Sequence, residues 1–369
     1  MLTFKRDFFD NVDNGNAVRL LNMETVMNKK KADLDWGNLD FAYVKTNSNI
    51  RFENKNGSWS DGVLTDDETI PMHIAAPCLH YGQEAFEGLK AFETKDGRIV
   101  VFRPDANARR LIKTCESISI PPISEQLFIE GIQRVVEVNS EFVPPYGTGA
   151  SLYIRPFAIG TGAKVGLGPA LEYLFLIFVT PVGPYYKSGF SPVRSIIVTE
   201  YDRAAPLGIG DCKVGGNYAA GLRGEQYGKD KGYPVVLYLD ALEKKYIDEF
   251  STSNFIGIKG DIYVTPDSPS ILQSITNDSL AELAKNMGLK IERRQVSVEE
   301  LAEFDEVGAV GTAAVITPIS SITYGDREFV FGDGKSAGPV LTKLHDMLTG
   351  VQRGEVEDIH GWLYEVEIR

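Results

Sequence analysis

The sequence predicts an α+β fold with two domains, and three observations support this. Its 369 residues exceed one ordinary domain of roughly 100–200 residues, and 43% hydrophobic content can build two cores. Short β-rich runs such as SLYIRPFAIG and EYLFLIFVTPV are interspersed with amphipathic helices, without strict β-α-β alternation. The segment PVGPYYKSGFSP concentrates Pro, Gly and Ser and is predicted to be a linker.

These observations divide the chain into four parts. We expect an N-terminal arm over residues 1–32, which is no signal peptide because it lacks an apolar region. Its first ~25 residues are weakly patterned, so we expect them either to be disordered or to precede a start at Met23 or Met27. A smaller N-terminal domain follows over 33–182. The linker occupies 183–192, and a larger C-terminal domain occupies 193–369.

Two amphipathic helices are predicted before the linker. Asp105 is expected to cap the first helix and Ser124 the second. Apolar residues then follow the i, i+3, i+4, i+7 spacing that places them on one helix face. The inward positions are Ala108, Leu111, Ile112 and Cys115 in the first helix and Phe128, Ile132, Val135 and Val136 in the second.

After the linker, the pattern predicts strands first and helices later. The run SIIVTE precedes a meander of VVLYLD, YIDEF and FIGIKGDIYVTP, with turns near residues 241–244 and 259–261. A helix is predicted to begin at about Asn277 and to stop at Gly288, and Ser297–Glu300 has the spacing of a capping box that opens another helix. The inward positions of the Asn277 helix are Leu280, Leu283, Ala284 and Met287.

Charge and hydropathy exclude several classes of function. A net charge of -13 argues against nucleic acid and against an anionic membrane surface, since both attract basic proteins. The longest strongly apolar run, YLFLIFV at 173–179, is far shorter than the ~20 residues of a membrane helix. We therefore expect no nucleic-acid partner and no membrane partner.

The cysteines and histidines indicate neither disulfides nor a metal. Cys78, Cys115 and Cys212 have no CxxC spacing and form no disulfide framework, so we expect a reducing cytoplasm. The chain has four histidines and no HExxH motif, so we expect no metal site.

The stretch DCKVGGNYAAG, residues 211–221, places Lys213 among small residues with Tyr218 five positions later. It is not a phosphate-binding P-loop, because Val214 follows the lysine, and the dinucleotide fingerprint fails as well. Desolvation by a wall of small residues lowers the pKa of an amine and makes it a nucleophile toward a carbonyl. The residues alone make this chemistry possible, and a surface lysine is the commoner alternative.

If the carbonyl belonged to pyridoxal phosphate, three further groups would be needed. A carboxylate must hold the ring nitrogen protonated, a phenol must face the ring hydroxyl, and an arginine with free backbone N–H groups must bind the phosphate. Glu249, Tyr218 and the helix start at Ile275 and Thr276 offer these groups, and Gly311–Ala313 offers more N–H donors. A solvated strand position remains the alternative for Glu249.

Six segments in order resemble the branched-chain-amino-acid aminotransferases, a family of fold-type-IV pyridoxal-phosphate enzymes. They are LHYGQEAFEGLKAF (79–92), VFRPDANARRL (101–111), PPYGTGASLYIRP (144–156), YDRAAPLGIGDCKVGGNYAA (201–220), VLYLD with IDEFSTSNFIG (236–257) and GTAAVITPI (311–319). The resemblance implies a small N-terminal α/β domain, a larger domain with a β-barrel-like core, and the cofactor between them. It covers residues from about Asp33 to the C-terminus.

The resemblance also implies a role for each matching residue. Lys213 is similar to the lysine that forms the Schiff base, Tyr218 to the phenol at the ring hydroxyl, and Glu249 to the partner of the ring nitrogen. Arg110 is similar to the phosphate arginine, although helical periodicity alone would place it in solvent. The remaining cofactor positions are Thr252, Ile275, Thr276 and Thr312. The substrate-pocket positions are Tyr81, Phe86, Tyr153, Arg155, Tyr185, Thr252, Thr312 and Ala313, and the family takes the equivalent of Tyr81 from the partner subunit.

Two departures from the family pattern stand out. Many members read Pro-Gly-[Ile/Val]-Thr-Arg where this chain has QSITN at 273–277. We expect the backbone role of Ile275 and Thr276 to survive, while the loss of the glycine's conformational freedom is expected to shift the phosphate loop. Some animal members carry a redox CxxC where this chain has Ala314–Thr317, so we expect no redox switch.

The activity implied is reversible amino transfer between leucine, isoleucine or valine and 2-oxoglutarate by a homodimer. A D-amino-acid transaminase and an aminodeoxychorismate lyase share the lysine and the glutamate, and a non-catalytic relative could bind the cofactor as a sensor. The segments FEGLKAF and SLYIRP favour the branched-chain enzymes.

Overall fold

The computed structural model describes residues 30–184 and 189–369, which form eighteen strands and six α-helices. The helices are α1 (Pro77–Tyr81), α2 (Pro104–Ser117), α3 (Glu125–Val138), α4 (Gly215–Asp230), α5 (Ile275–Asn286) and α6 (Pro339–Gln352). The strands before residue 183 are β1 (Asn49–Lys55), β2 (Ser58–Trp59), β3 (Val63–Thr65), β4 (Glu84–Phe86), β5 (Leu89–Glu93), β6 (Ile99–Phe102), β7 (Ser151–Gly160) and β8 (Tyr173–Val182). The later strands are β9 (Val193–Val198), β10 (Val235–Leu239), β11 (Ile247–Phe250), β12 (Ser253–Lys259), β13 (Ile262–Pro266), β14 (Lys290–Arg294), β15 (Glu306–Gly311), β16 (Val315–Tyr324), β17 (Arg327–Val330) and β18 (Leu363–Glu365).

The first sheet has the order β18-β6-β5-β7-β8-β1-β2, with β3 beside β1 and β4 beside β7. All of its pairings are antiparallel, and the long β7–β8 ladder pairs Ser151 with Val182 through Gly160 with Tyr173. Helices α2 and α3 cover one face, because their apolar stripes join the strand residues in one buried cluster. The last strand of the chain, β18, returns to this sheet beside β6.

The second sheet closes into a barrel. Its order is β11-β10-β9-β16-β15-β12-β13-β14, and an additional β11–β12 pairing joins the first strand to the sixth. The six strands from β11 to β12 therefore form a ring, which is the barrel-like core expected. The parallel pairs of β9 with β10 and with β16 make the sheet mixed. The observed architecture is thus the α+β fold predicted.

The helix predictions were right about the faces and less accurate about the ends. Ser124 caps α3 by accepting from the Leu127 N–H, as predicted. Asp105 does not cap α2: Pro104 starts the helix, which suits a residue without an N–H, and Arg103 is the N-cap with φ 47°. Helix α5 begins two residues before Asn277, because the Ser274 hydroxyl caps it.

The predicted capping box at Ser297 was wrong. Residues Val298–Glu303 form a 3₁₀ helix, and the Ser297 side chain makes no cap hydrogen bond. The Glu300 carboxylate instead binds the Arg294 guanidinium, with Nη1 at 2.9 Å. A carboxylate that pairs with an arginine is not free to reach back to the N-cap N–H, so the box is not formed.

The predicted domain bounds, linker and N-terminal arm are not tested by the described residues. The domain bounds 33–182 and 193–369 stay a prediction, as does the linker, of which residues 185–188 lie outside the described part. The predicted arm overlaps the described chain only at residues 30–32. Across 30–184 and 189–369, no helix combines the length and the apolar character that crossing a bilayer requires.

Candidate active site

A cavity of about 470 Å³ contains most of the predicted site residues. Its wall takes residues from both sheets, including β4 and β7 of the first and β11 and β15 of the second. Ten of the predicted residues line it: Phe86, Arg110, Tyr153, Arg155, Lys213, Tyr218, Glu249, Thr252, Thr312 and Ala313. Among the described residues, no group of three or more His, Cys, Asp or Glu side chains is arranged to hold a metal ion.

Lys213 projects its amine into this cavity. Its Nζ donates to the Tyr218 hydroxyl at 2.8 Å and lies 4.7 Å from the centre of the Phe86 ring. The backbone fixes its position, since its carbonyl accepts from the Phe86 N–H at 3.0 Å. Gly215 explains part of the glycine-rich stretch, because a Cβ there would collide with the Glu84 carboxylate. The small residues let β4 approach the lysine closely.

Glu249 lies on β11 and is 4% exposed. Its Oε1 accepts from the Leu272 N–H at 3.0 Å, and its Oε2 accepts from Asn254 Nδ2 at 2.7 Å. Burial raises the pKa of this carboxyl, while the nearby Arg203 guanidinium and the two hydrogen bonds act in the opposite direction. The solvated strand position considered from sequence is therefore wrong.

Arg203 is the buried counter-ion of Glu249. Its Nη2 lies 3.0 Å from Glu249 Oε1 and also donates to the carbonyls of Gly210, at 2.9 Å, and Ser270. Both side chains of the pair are less than a tenth exposed, at 8% and 5%. The loop that precedes Lys213 thus supplies the charge that offsets the burial of Glu249.

Arg110 faces the cavity, and Arg109 does not. The Arg110 guanidinium forms a two-point ion pair with Glu87, at 2.8 and 2.7 Å, and its Nη1 donates to the Gln273 carbonyl at 2.9 Å. Arg109 is exposed and pairs with Asp105. Glu87 is fully buried, and although burial alone raises its pKa, the Arg110 charge holds that pKa below its ordinary value.

The start of α5 lies beside Arg110. Ile275 and Thr276 form its first turn, and they line a small adjoining cavity together with Thr312 rather than the main one. Ser274 replaces the family's glycine without backbone strain, because its φ is -84° and its hydroxyl caps the Asn277 N–H. The Asn277 side chain is buried and binds the Tyr263 hydroxyl at 2.7 Å. The predicted shift of this loop is not required by the backbone.

The opposite wall carries an arginine among aromatic rings. Arg155 Nη2 donates to the Tyr153 hydroxyl at 2.9 Å, and the guanidinium lies 5.0 Å from the Phe86 ring centre and 5.2 Å from that of Tyr153. Its buried Nε has no hydrogen-bond partner within the described residues. The arginine is therefore partly satisfied by its neighbours and keeps donor capacity for a ligand.

Two turns complete the wall. Thr252 lies in the tight turn between β11 and β12, and Thr312 and Ala313 lie in the turn between β15 and β16. Tyr81 is not on the cavity wall of its own chain: it ends α1, is 45% exposed and donates to the Val165 carbonyl. Tyr185 falls outside the described residues.

Sequence reasoning missed four residues of the site. Arg203 and Glu87 lie within the segments that were matched but were assigned no role, and Asn254 and Phe41 were not considered as site residues. Phe41 lines the cavity and stacks edge-on against Tyr153 at 5.0 Å. The one available signal for Glu87 was a carboxylate among the apolar residues of FEGLKAF. If such a residue is buried, its charge has to be paired.

The chain is similar in sequence to a known family of enzymes. Residues 84–322 match the family described as amino-transferase class IV. The chain is 44% identical over 337 residues to the branched-chain-amino-acid aminotransferase of Helicobacter pylori, a match that covers 90% of this chain and 98% of that protein.

Solved structures give the same result. The Escherichia coli branched-chain amino acid aminotransferase is 29% identical with a TM-score of 0.74, over 88% of this chain and 100% of that one. The branched-chain aminotransferase of the thermophilic archaeon Thermoproteus uzoniensis, solved with norvaline, is 25% identical with a TM-score of 0.72, over 87% of this chain and 100% of that one. This chain therefore belongs to the class IV aminotransferases, and its fold is the fold-type-IV fold predicted from the sequence.

Proposed function

We propose that the protein is a pyridoxal-phosphate-dependent aminotransferase that moves an amino group reversibly between leucine, isoleucine or valine and 2-oxoglutarate. The observation that carries the proposal is the placement of Lys213, hydrogen-bonded to Tyr218, on the wall of the cavity that also receives the buried carboxylate of Glu249. The relatives named above as branched-chain aminotransferases support the choice of substrate.

The residues present suit the cofactor at each of its polar groups. Lys213 and Tyr218 would hold the aldehyde end and the ring hydroxyl, and Glu249 would face the ring nitrogen. Arg110, the first turn of α5 and Thr312 would hold the phosphate, since a helix N-terminus offers free N–H groups and a favourable dipole. Thr252 completes this set as a polar wall residue.

When bound, pyridoxal phosphate supplies an aldehyde that takes up the amino group and a ring that delocalises negative charge. Lys213 Nζ takes the proton from the substrate Cα and later returns it, as a general base and then a general acid. Arg203, Asn254 and the Leu272 N–H bind Glu249 in its ionised form and so oppose the rise in its pKa that burial causes.

One pocket has to accept an apolar branched chain and a carboxylate in turn. The rings of Phe86 and Tyr153 offer apolar surface to leucine. Arg155 is partly satisfied by the Tyr153 hydroxyl and by the two ring faces, which lowers the cost of its charge beside an apolar side chain. When 2-oxoglutarate enters, the free donors of Arg155 bind its distal carboxylate. Ala313 and Thr312 belong to the same pocket, and we also keep Tyr185, outside the described residues, as a pocket residue.

We propose that a second copy of the chain covers an exposed apolar surface and receives Tyr81. This surface lies on α1, the residues before it and residues 165–171, which contact one another through the Tyr81–Val165 hydrogen bond. An apolar patch of this kind marks an interface. Its large side chains are Ile74, Leu79, Val165, Leu167 and Leu171, between 60% and 83% exposed.

We also place the protein in the cytoplasm. Cys78, Cys115 and Cys212 are all free thiols, which suits a reducing compartment. The net charge of -13 disfavours binding to nucleic acid or to anionic lipid.

A panel of amino donors tests the proposed function. We expect the purified protein with pyridoxal phosphate to form glutamate from 2-oxoglutarate with L-leucine, L-isoleucine and L-valine, and to show a mass consistent with a dimer in light scattering. Turnover of D-alanine without turnover of L-leucine would assign it to the D-amino-acid transaminases, and binding of the cofactor without any transfer would assign it to a sensor.

A further inference from the structure

Lys90 is a partly buried cation that has no role in the proposed catalysis. It lies on β5, and its Nζ donates to the Ala313 carbonyl at 2.6 Å, 223 residues away along the chain. Burial, and to a smaller extent the charge of Arg353, lowers the pKa of this amine to about 8. Within residues 30–184 and 189–369, no carboxylate pairs with it. Removing an ammonium from water without a counter-charge is costly, so the hydrogen bond to Ala313 requires an explanation.

The carbonyl that Lys90 binds belongs to a strained turn. This turn joins β15 to β16, and the ladder ends at the pair of Gly311 with Val315. Val315 has φ 64° although it is β-branched and only 8% exposed. A β-branched residue is strongly disfavoured in this region, so the backbone preference of Val315 does not hold the turn in its shape.

The same turn forms part of the active-site wall. Thr312 and Ala313 line the main cavity, and their backbone N–H groups lie beyond the last ladder pair. Lys90 reaches the turn from the opposite sheet, where it pairs across the β5–β7 ladder with Tyr153, another wall residue. One hydrogen bond therefore connects the two halves of the cavity.

We propose that Lys90 is a positioning residue that fixes the strained Gly311–Val315 turn so that it presents its backbone N–H groups to the carboxylate of the amino acid. The ammonium touches neither the substrate nor the cofactor in this account; it acts through the Ala313 carbonyl. That the bound anion is the carboxylate of an amino acid rests on the proposed function. That Lys90 braces the turn, by holding the Ala313 carbonyl, does not depend on it.

Substitution of Lys90 separates these roles. Lys90→Met removes the donor and keeps the length, Lys90→Arg keeps a cationic donor, and Lys95→Met changes an exposed lysine on the same segment. For Lys90→Met we expect about a tenfold rise in leucine KM and in the Kd of 4-methylpentanoate, on the scale of one charge-assisted hydrogen bond, with kcat changed less than about threefold.

We expect Lys90→Arg to recover most of this loss, Lys95→Met to behave as the wild type, and the affinity for pyridoxal phosphate to be unchanged in all three. An unchanged Kd for 4-methylpentanoate in Lys90→Met overturns the proposal. An equal loss of pyridoxal phosphate affinity also overturns it, because the anion held by the turn would then be the phosphate.

The strain can be tested by a second substitution. Val315→Gly permits φ 64° at no cost, whereas Val315→Ala removes the same side chain and keeps the strain. In the Val315→Gly background we expect Lys90→Met to weaken the binding of 4-methylpentanoate by less than about threefold. In the Val315→Ala background we expect the same substitution to weaken it by about tenfold. Equal losses in both backgrounds contradict a brace against strain.

Hydrogen exchange of the cofactor-free protein gives a readout independent of activity. We expect Lys90→Met to speed exchange of the amides in 308–318 and to leave the rest of β16 protected. If the wild type fails to use leucine but Lys90→Met exchanges faster in 308–318, the proposed function is wrong and Lys90 does hold the turn. If wild type is active and the exchange is unchanged, the brace is wrong.

Discussion

Replacement of Arg203 by Met should destabilise the protein through Glu249. The two charges are 3.0 Å apart and almost fully buried. At an effective dielectric of about 20, a pair at this distance attracts by about 5 kcal/mol, and removing one member of a buried pair commonly costs about 3–5 kcal/mol. We therefore expect Arg203→Met to lower the free energy of unfolding by at least about 3 kcal/mol at neutral pH.

The pH dependence identifies the electrostatic part of this loss. Burial raises the pKa of Glu249, so its ionisation costs native stability as pH rises through that pKa, and Arg203 offsets the cost. Removing Arg203 raises the pKa of Glu249 further. The deficit of the variant is then largest at about pH 8 and shrinks at about pH 5.5, where more of the carboxyl is protonated. The lost bonds to the Gly210 and Ser270 carbonyls do not change with pH.

Urea unfolding of the cofactor-free protein, followed by circular dichroism at both pH values, measures these differences. Arg109→Met is the matched control, since the Arg109–Asp105 pair is exposed, at 56% and 45%, and such pairs contribute about 0–1 kcal/mol. A deficit of Arg203→Met that is equal at both pH values, or no larger than that of the control, would show that Arg203 does not stabilise the fold by pairing with ionised Glu249.

The pocket and the thiols give three further predictions. Arg155→Met should lower kcat/KM for 2-oxoglutarate by about 10- to 150-fold, the value of a charge-assisted contact, and that for leucine much less; equal losses would mean a structural role. Tyr218→Phe should lower kcat by about 2- to 13-fold through loss of the hydrogen bond to Lys213, measured with saturating leucine; an unchanged kcat would remove Tyr218 from the mechanism. Mild peroxide should leave activity unchanged, because burial raises the pKa of all three thiols, that of Cys115 to about 12, and so removes the reactive thiolate at neutral pH. Loss of activity that dithiothreitol restores would contradict this.

The parts of the fold that follow from local patterns were predictable. The α3 stripe from Phe128 to Val136 is buried as its spacing required, and Ser124 caps that helix. Errors occurred where a neighbouring residue competed for the local signal. Pro104 displaced Asp105 as the start of α2, and Arg294 drew the Glu300 carboxylate away from Ser297.

The site was predictable where a motif names the residue and not where the structure pairs distant residues. Lys213, Glu249 and Arg110 were found through their motifs, and the structure places all three on one cavity. The ion pair of Glu87 with Arg110 joins a β-strand end to a helix, and the Lys90 bond to Ala313 joins two sheets. Such long-range pairs leave no periodic signal, since only the folded chain brings the partners together. The roles of the site residues stay predictions for the experiments above.

Reduction of the pyridoxal phosphate-loaded protein with borohydride shows which residue carries the cofactor. We expect the pyridoxyl group to be fixed to the Nζ of Lys213 and peptide mapping to find it there alone. Addition of L-leucine before the reduction should prevent the labelling. Lys213→Ala should bind the cofactor without being labelled and should not transfer the amino group. Labelling of another lysine, or turnover of leucine by Lys213→Ala near the wild-type rate, would contradict the account.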